Sequence, residues 1–287
     1  MQFVTTNDFL SRRYTNVVFA GGGNRCWWQA GMVDLLSRHE CWRAERLIGA
    51  SAGAGIAAAF ATCRIREALA TAITQFDATP RNVEWRDLLK GKRPFMMPRL
   101  YPEWIGSFLD AQSHSALRQE SLSVEVVVTR PIPYLPVTFS TALALTLYST
   151  EKFWLKNFHG RLPHRLGFRA EYLDLKQSAD HEEARTWLLA SAAAVPITPT
   201  HRVKGRAALD GGFYDSAPLP RDREGDEHTL VLLTRHRPEL PQIFTHQGSV
   251  YLQPQKRVVA VNMDCTNGKN VALTFEQGQQ EAERLLS

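Results

Sequence analysis

The sequence predicts an α/β fold: a three-layer α/β/α arrangement around a mostly parallel central sheet. Two features lead there. Short apolar runs that read as buried strands alternate along the chain with segments of helical period. The chain is also long enough, at 287 residues, to build a substantial core as one unit.

The elements follow in order. Residues 17–20 form a short apolar run that ends in three glycines and reads as a strand. Residues 25–37 place Trp28, Met32, Leu35 and Leu36 at helical spacing. A second short strand is expected at 46–50, and a helix of small residues at 52–63 that continues helically over 65–76. From 78 to about 120 the periodicity breaks down. Pro80, Pro94, Pro98 and Pro102 punctuate it, with one helix expected at 103–110, so this stretch reads as a cap or insertion on a single domain spanning 1–287. Residues 124–129 are a β-branched strand, and 138–147 alternate in part and read as strand. Residues 152–172 are basic and irregular. A helix is expected at 182–194, a short strand at 207–209, further strands at 229–234 and 257–263, and an amphipathic helix at 274–286.

Composition narrows the function classes. Apolar residues make up 44% and charged residues 22%, ordinary for a folded domain. No run of about 18 apolar residues offers a membrane span, and the opening MQFVTTNDFLSRR does not read as a secretory leader. Cys26, Cys41, Cys63 and Cys265 are too scattered for a disulfide framework or a zinc site. A cytoplasmic location is the expectation, and neither metal nor cofactor is expected. The net charge of +5 is uneven. Residues 81–99 carry six basic residues against Glu84 and Asp87, and 152–169 carry five with no acid. Both stretches interleave large apolar side chains, which suits peripheral contact with an anionic membrane surface. No nucleic-acid motif accompanies them, so a nucleic-acid partner is not expected.

Three motifs carry chemistry. Gly49-Ala50-Ser51-Ala52-Gly53 lies between a strand and a helix, where a serine on a sharp turn projects its hydroxyl from the sheet. Glycines two before and two after remove side chains that would clash there. The other reading is a small-residue turn that lets a helix pack tightly. Gly21-Gly22-Gly23-Asn24-Arg25 ends the first strand and opens a helix, so its amides can converge on an anion. A dinucleotide fingerprint fits less well, because Cys26 takes the third glycine position. Arg25 is a cation where a helix start disfavours one. Either a substrate phosphate or carboxylate, or a structural acid, would offset it. Asp210-Gly211-Gly212 closes the 207–209 strand, where Asp-Gly also suits a plain turn.

In this order and spacing GGGNR, GASAG and DGG resemble the patatin-like phospholipase family. The small-residue segment 190–196 and DGGFYDSAPL at 210–219 extend the resemblance over residues 17–219 and the terminal helix. The resemblance implies a patatin-like fold and a Ser–Asp dyad, with Ser51 as nucleophile and Asp210 as general base. It implies an oxyanion hole drawn from Gly21, Gly22, Gly23, Asn24 and Arg25, chiefly the backbone of Gly22 and Gly23. The default activity it implies is lipid acyl-ester hydrolysis of the phospholipase or lysophospholipase kind, without a metal. An acyltransferase on the same dyad and a catalytically silent lipid-binding protein are the alternatives. One departure is Cys26, where the family usually has glycine. A larger residue there can narrow the anion site or simply start the helix better. The rival mechanism is a Ser–His–Asp triad drawing on His228, His236 or His246, which follow Asp210 in the usual α/β-hydrolase order.

Overall fold

The computed structural model describes residues 2–154, 158–222 and 228–287. Its strands are β1 (Gln2–Phe3), β2 (Tyr14–Phe19), β3 (Trp42–Ala50), β4 (Ser123–Arg130), β5 (Arg169–Asp174), β6 (His201–Val203), β7 (Arg206–Asp210), β8 (Thr229–Leu232), β9 (Ile243–His246) and β10 (Ser249–Leu252). Its α-helices are α1 (Thr6–Ser11), α2 (Trp27–Leu36), α3 (Ala52–Ala61), α4 (Ile65–Asp77), α5 (Met97–Gly106), α6 (Ala111–Gln119), α7 (Val137–Ser149), α8 (Leu162–Arg165), α9 (His181–Ser191) and α10 (Gly268–Leu286).

The sheet order is β1-β9-β10-β8-β2-β3-β4-β7-β6, with β5 also on β4. The centre, β10-β8-β2-β3-β4, is parallel, and the edges are antiparallel. Parallel strands need both faces covered, which explains their near-continuous apolar runs. Val17, Phe19, Leu47, Val126, Leu230 and Leu232 face the principal core with residues of α2, α3, α4, α9 and α10. Val18, Ile48, Val127 and Val231 face a second core with Phe158, Phe244 and Tyr251. The expected α/β architecture is observed, as a mixed sheet with parallel central strands flanked by helices.

One feature of the sheet positions the site. β3 pairs with β4 only as far as Ala50 opposite Val127. β7 then pairs with β4 antiparallel, with Asp210 opposite Val128. β5 occupies the other edge of β4 through Arg130. β7 therefore takes over the edge that β3 vacates, and the residue after Ala50 faces the last residue of β7.

Several local expectations are corrected. Residues 138–147 are not strand but lie in α7. Its buried positions Ser140, Thr141, Ala144 and Leu147 have helical spacing, and the hydroxyls of Thr141 and Thr146 bond the carbonyls four residues back. Residues 257–263 form no strand. Val258 and Ala260 are buried while Val259 and Val261 are exposed, so the alternation is real. The segment has no partner strand among the described residues; its Ala260 amide donates to the Thr274 hydroxyl. The β9–β10 hairpin went unanticipated. Its two-residue turn, Gln247 and Gly248, has positive φ at both positions, and only glycine advertises that in sequence. The helix expected at 103–110 is displaced to α5, followed by α6; Trp104, Ile105, Phe108 and Leu109 join the principal core. The stretch expected to be irregular at 152–172 contains α8 and most of β5, and its residues 155–157 lie outside the described residues.

Candidate active site

Ser51 sits between β3 and α3 with φ 54° and ψ −134°. A positive φ is costly for a residue with a side chain and persists only where the surroundings enforce it. Here a β-carbon on Gly49 would strike Ala54, and one on Gly53 would strike the Phe19 carbonyl. The tight approach of α3 to β2 and β3 therefore requires both glycines and holds the turn.

The Ser51 hydroxyl donates to Asp210 Oδ2 at 2.8 Å. The other oxygen, Asp210 Oδ1, accepts the Gly212 amide at 2.7 Å, which fixes the carboxylate plane. The aspartate backbone is held as well. Its N–H donates to the Ala193 carbonyl at 2.8 Å, and its carbonyl accepts the Thr129 hydroxyl at 2.7 Å. Gly211 lies against the Val127 carbonyl, where a side chain would not fit. Behind the serine, the Ser51 amide donates to Ser191 Oγ at 2.9 Å, and Ser191 donates to the Val127 carbonyl at 2.6 Å. Nothing in the sequence marked Ser191 beyond its place in the small-residue segment.

The five amides of the glycine loop divide into two groups. Gly21 N–H donates to the Ser216 carbonyl at 2.7 Å, Asn24 N–H to the Asn262 carbonyl at 3.0 Å, and Arg25 N–H to the Gly22 carbonyl at 3.4 Å. The amides of Gly22 and Gly23 have no acceptor among the described residues. Of the five expected donors, these two are the ones without a protein acceptor among the described residues, and Gly22 is itself buried. Their loop is closely packed: a β-carbon on Gly22 would collide with Thr234, and one on Gly23, at φ 56°, with Asn262.

Cys26 is buried, with its thiol directed at the Ala20 carbonyl at 3.5 Å. It lines an apolar slot with Gly23, Trp27, Ala52, Ile56 and Trp104, so the slot adjoins both the elbow helix and the glycine loop. The Tyr101 hydroxyl also lines this slot, buried and without a hydrogen-bond partner among the described residues.

The three histidines after Asp210 are engaged elsewhere. His228 contacts the Arg13 carbonyl at 2.9 Å and His236 the Pro254 carbonyl at 2.9 Å, while His246 stacks on His159 with ring centroids 6.3 Å apart. Arg25 has no ion pair among the described residues, so the structural acid suggested as its counterpart is not found among them. Its Nε and Nη2 are buried without hydrogen-bond partners. Among the described residues no helix is long and apolar enough to cross a membrane.

No curated protein matches the chain significantly. A family model does: the one described as patatin-like phospholipase matches residues 17–221, which carry the glycine loop, the serine turn and the aspartate. The chain belongs to the patatin-like phospholipase family.

Proposed function

We propose that the protein hydrolyses lipid acyl esters through an acyl-enzyme on Ser51, with Asp210 as general base and the Gly22 and Gly23 amides as oxyanion donors. Family membership gives the coarser statement, lipid acyl hydrolysis. The finer reading rests on one observation, the 2.8 Å hydrogen bond from Ser51 to Asp210, with the glycine loop packed against Ser51 at Gly21.

An isolated aspartate, with a pKa near 3.9, is a weak base for an alcohol. The arrangement compensates in two ways. Base and nucleophile are already in contact, so the entropy of bringing them together is spent in folding. Pre-aimed amides stabilise the oxyanion as it forms, by about 3–4 kcal/mol per donor. Ser51 attacks the ester carbonyl as Asp210 takes its proton, and the carbonyl oxygen gains charge next to Gly22 and Gly23. The tetrahedral species collapses, the alcohol leaves with the proton, and the acyl group stays on Ser51. Asp210 then deprotonates a water that attacks the acyl-enzyme and releases the fatty acid. The apolar slot along Trp27, Ile56 and Trp104 adjoins the elbow and offers an apolar wall to the first carbons of the acyl chain.

The approach is from a lipid surface. Trp85 and Leu89, from the first basic stretch, are 66% and 91% exposed, and Trp154, from the second, is 85% exposed. Aromatic and apolar tips among cations suit insertion at an anionic headgroup boundary.

The test is fatty-acid release from phospholipids and lysophospholipids by purified protein, read by mass spectrometry, with and without glycerol as acceptor. Free fatty acid that disappears in Ser51→Ala supports the reading. Acyl transfer to glycerol in place of release supports the acyltransferase. Equal release by wild type and Ser51→Ala contradicts Ser51 as the nucleophile.

A further inference from the structure

The turn that follows Asp210 touches both halves of the candidate site. At its start the Gly212 amide holds Asp210 Oδ1 at 2.7 Å. At its end the Ser216 carbonyl accepts the Gly21 amide at 2.7 Å, immediately before the two amides proposed as oxyanion donors. Gly21 in turn lies against the nucleophile: a β-carbon there would stand 3.4 Å from the Ser51 Cβ. The conformation of residues 211–216 therefore sets where the base and the glycine loop stand relative to each other.

His159 grips this turn from outside. The Asp215 amide donates to the Gly211 carbonyl at 3.2 Å, and Asp215 Oδ1 accepts the Ala217 amide at 2.9 Å. Its other oxygen, Oδ2, accepts His159 Nδ1–H at 2.8 Å. The two side chains are only 15% and 12% exposed, where an unpaired carboxylate would be costly. A carboxylate only accepts, so Nδ1 carries the hydrogen, and in the neutral ring Nε2 accepts the Tyr251 hydroxyl, 2.6 Å away. Tyr251 belongs to β10 and is fully buried in the second core. The chain beside the imidazole is shaped for this approach. A β-carbon on Gly160 would strike the Tyr214 carbonyl, and the buried Glu151 accepts the Arg161 and Leu162 amides at 2.6 and 2.5 Å. The ring thus joins a strand of the central sheet to the carboxylate of the turn.

We propose that His159 is a positioning residue for the acyl-transfer site: through Asp215 it fixes the 211–216 turn and so aims the Asp210 carboxylate and the glycine loop at one reacting carbonyl. The inference rests on the hydrolase reading for its effect on rate and on the His159–Asp215 bond for its effect on the turn. The two ring nitrogens separate this role from packing. The Tyr251 bond fastens the ring to the core, whereas the Asp215 bond reaches the turn. A displacement of about 1 Å at the reacting groups costs on the order of 10²-fold in rate, so a loosened turn shows in kcat.

The experiment uses the full chain and three variants, His159→Ala, His159→Asn and Tyr251→Phe. Each is measured for kcat and KM on lysophospholipid esters, for stability by a denaturant melt, and for exchange protection of the Gly21 amide by NMR. An asparagine N–H stands near the place of Nδ1–H and can keep the Asp215 bond, but it is too short to reach Tyr251. His159→Ala should lower kcat about tenfold or more with KM little changed, and should speed exchange at Gly21. His159→Asn should recover most of both losses. Tyr251→Phe should lower the melt while kcat and Gly21 protection hold. Unchanged kcat and protection in His159→Ala would overturn the proposal. So would a loss in Tyr251→Phe that equals the loss in His159→Ala and scales with stability, which would make His159 a packing residue. A fall in kcat with Gly21 protection intact would overturn the route through the turn. No ester turnover by wild type, with Gly21 protection lost in His159→Ala and kept in Tyr251→Phe, would overturn the hydrolase reading and leave the hold of His159 on the turn standing.

Discussion

Ser191 stands directly behind Ser51: its hydroxyl accepts the Ser51 amide at 2.9 Å and donates to the Val127 carbonyl at 2.6 Å. It is fully buried at the end of α9 and ties the strained serine turn to β4. Ser191→Ala leaves the Ser51 N–H and the Val127 carbonyl without this bridge, at a cost of roughly 1–3 kcal/mol. A positioning role predicts that kcat falls about tenfold or more while KM changes little. Steady-state kinetics beside a denaturant melt measures both. A stability loss with unchanged kcat would make Ser191 purely structural.

The glycine loop makes a coupled prediction. Gly22→Ala drives a methyl into the Thr234 side chain, and Gly23→Ala drives one into the Asn262 backbone carbonyl as well as straining a positive φ. Each should lower kcat by about 10²–10³-fold if it misaims an oxyanion donor. Thr234→Ala should partly restore Gly22→Ala, because the collision there is with a side chain. No substitution at Asn262 should restore Gly23→Ala to the same extent. A double-mutant cycle in kcat distinguishes the two.

A pH-dependent prediction concerns Asp110. It caps α6 through the Ser113 amide at 2.8 Å and pairs with Arg64 at 2.7 Å. The amide bond, and then the Arg64 guanidinium, hold its carboxyl below the usual carboxylate range. A depressed folded pKa gives stability that is present above the unfolded value, near 3.9, and is lost as pH falls through the folded value. Asp110→Asn keeps a capping side chain but loses the charge. Wild type should exceed it in stability at pH 7, and the gap should begin to narrow below about pH 4, closing only as pH passes the lower folded value. Urea melts from pH 7 to pH 3 read this directly, and a gap that widens toward acid would contradict it.

The thiols differ in reactivity. Burial pushes Cys265 up to about 12 and Cys41 up to about 11. Both stay protonated and shielded at pH 8, and Cys26 is equally buried, while Cys63 is exposed. Iodoacetamide should add once to the native chain, at Cys63, and four times after unfolding. A native adduct at Cys26 would mean that the apolar slot opens.

The strand–turn–helix around Ser51 was legible because Gly49 and Gly53 are demanded by contacts close in the chain. The identity of the open amides was not. Ser216 and Asn262, far along the sequence, decide which donors are occupied, and neither advertises that role. Residues 138–147 misled because Ser, Thr and small apolar residues fit a strand as readily as a helix that satisfies its own hydroxyls. Residues 257–263 alternate as a strand should, but a ladder needs a neighbour and none is present among the described residues. Arg25 left two alternatives open in the sequence, and among the described residues its buried Nε and Nη2 have no hydrogen-bond partner.

The direct contact between Asp210 and Ser51 is the core of the account, and the rate of fluorophosphonate labelling tests it most closely. With Asp210→Asn, labelling of Ser51 should slow by about 10²–10⁴-fold, the contribution of a positioned general base, while the circular dichroism melt stays close to wild type. Labelling of a folded Asp210→Asn protein at the wild-type rate would contradict the dyad.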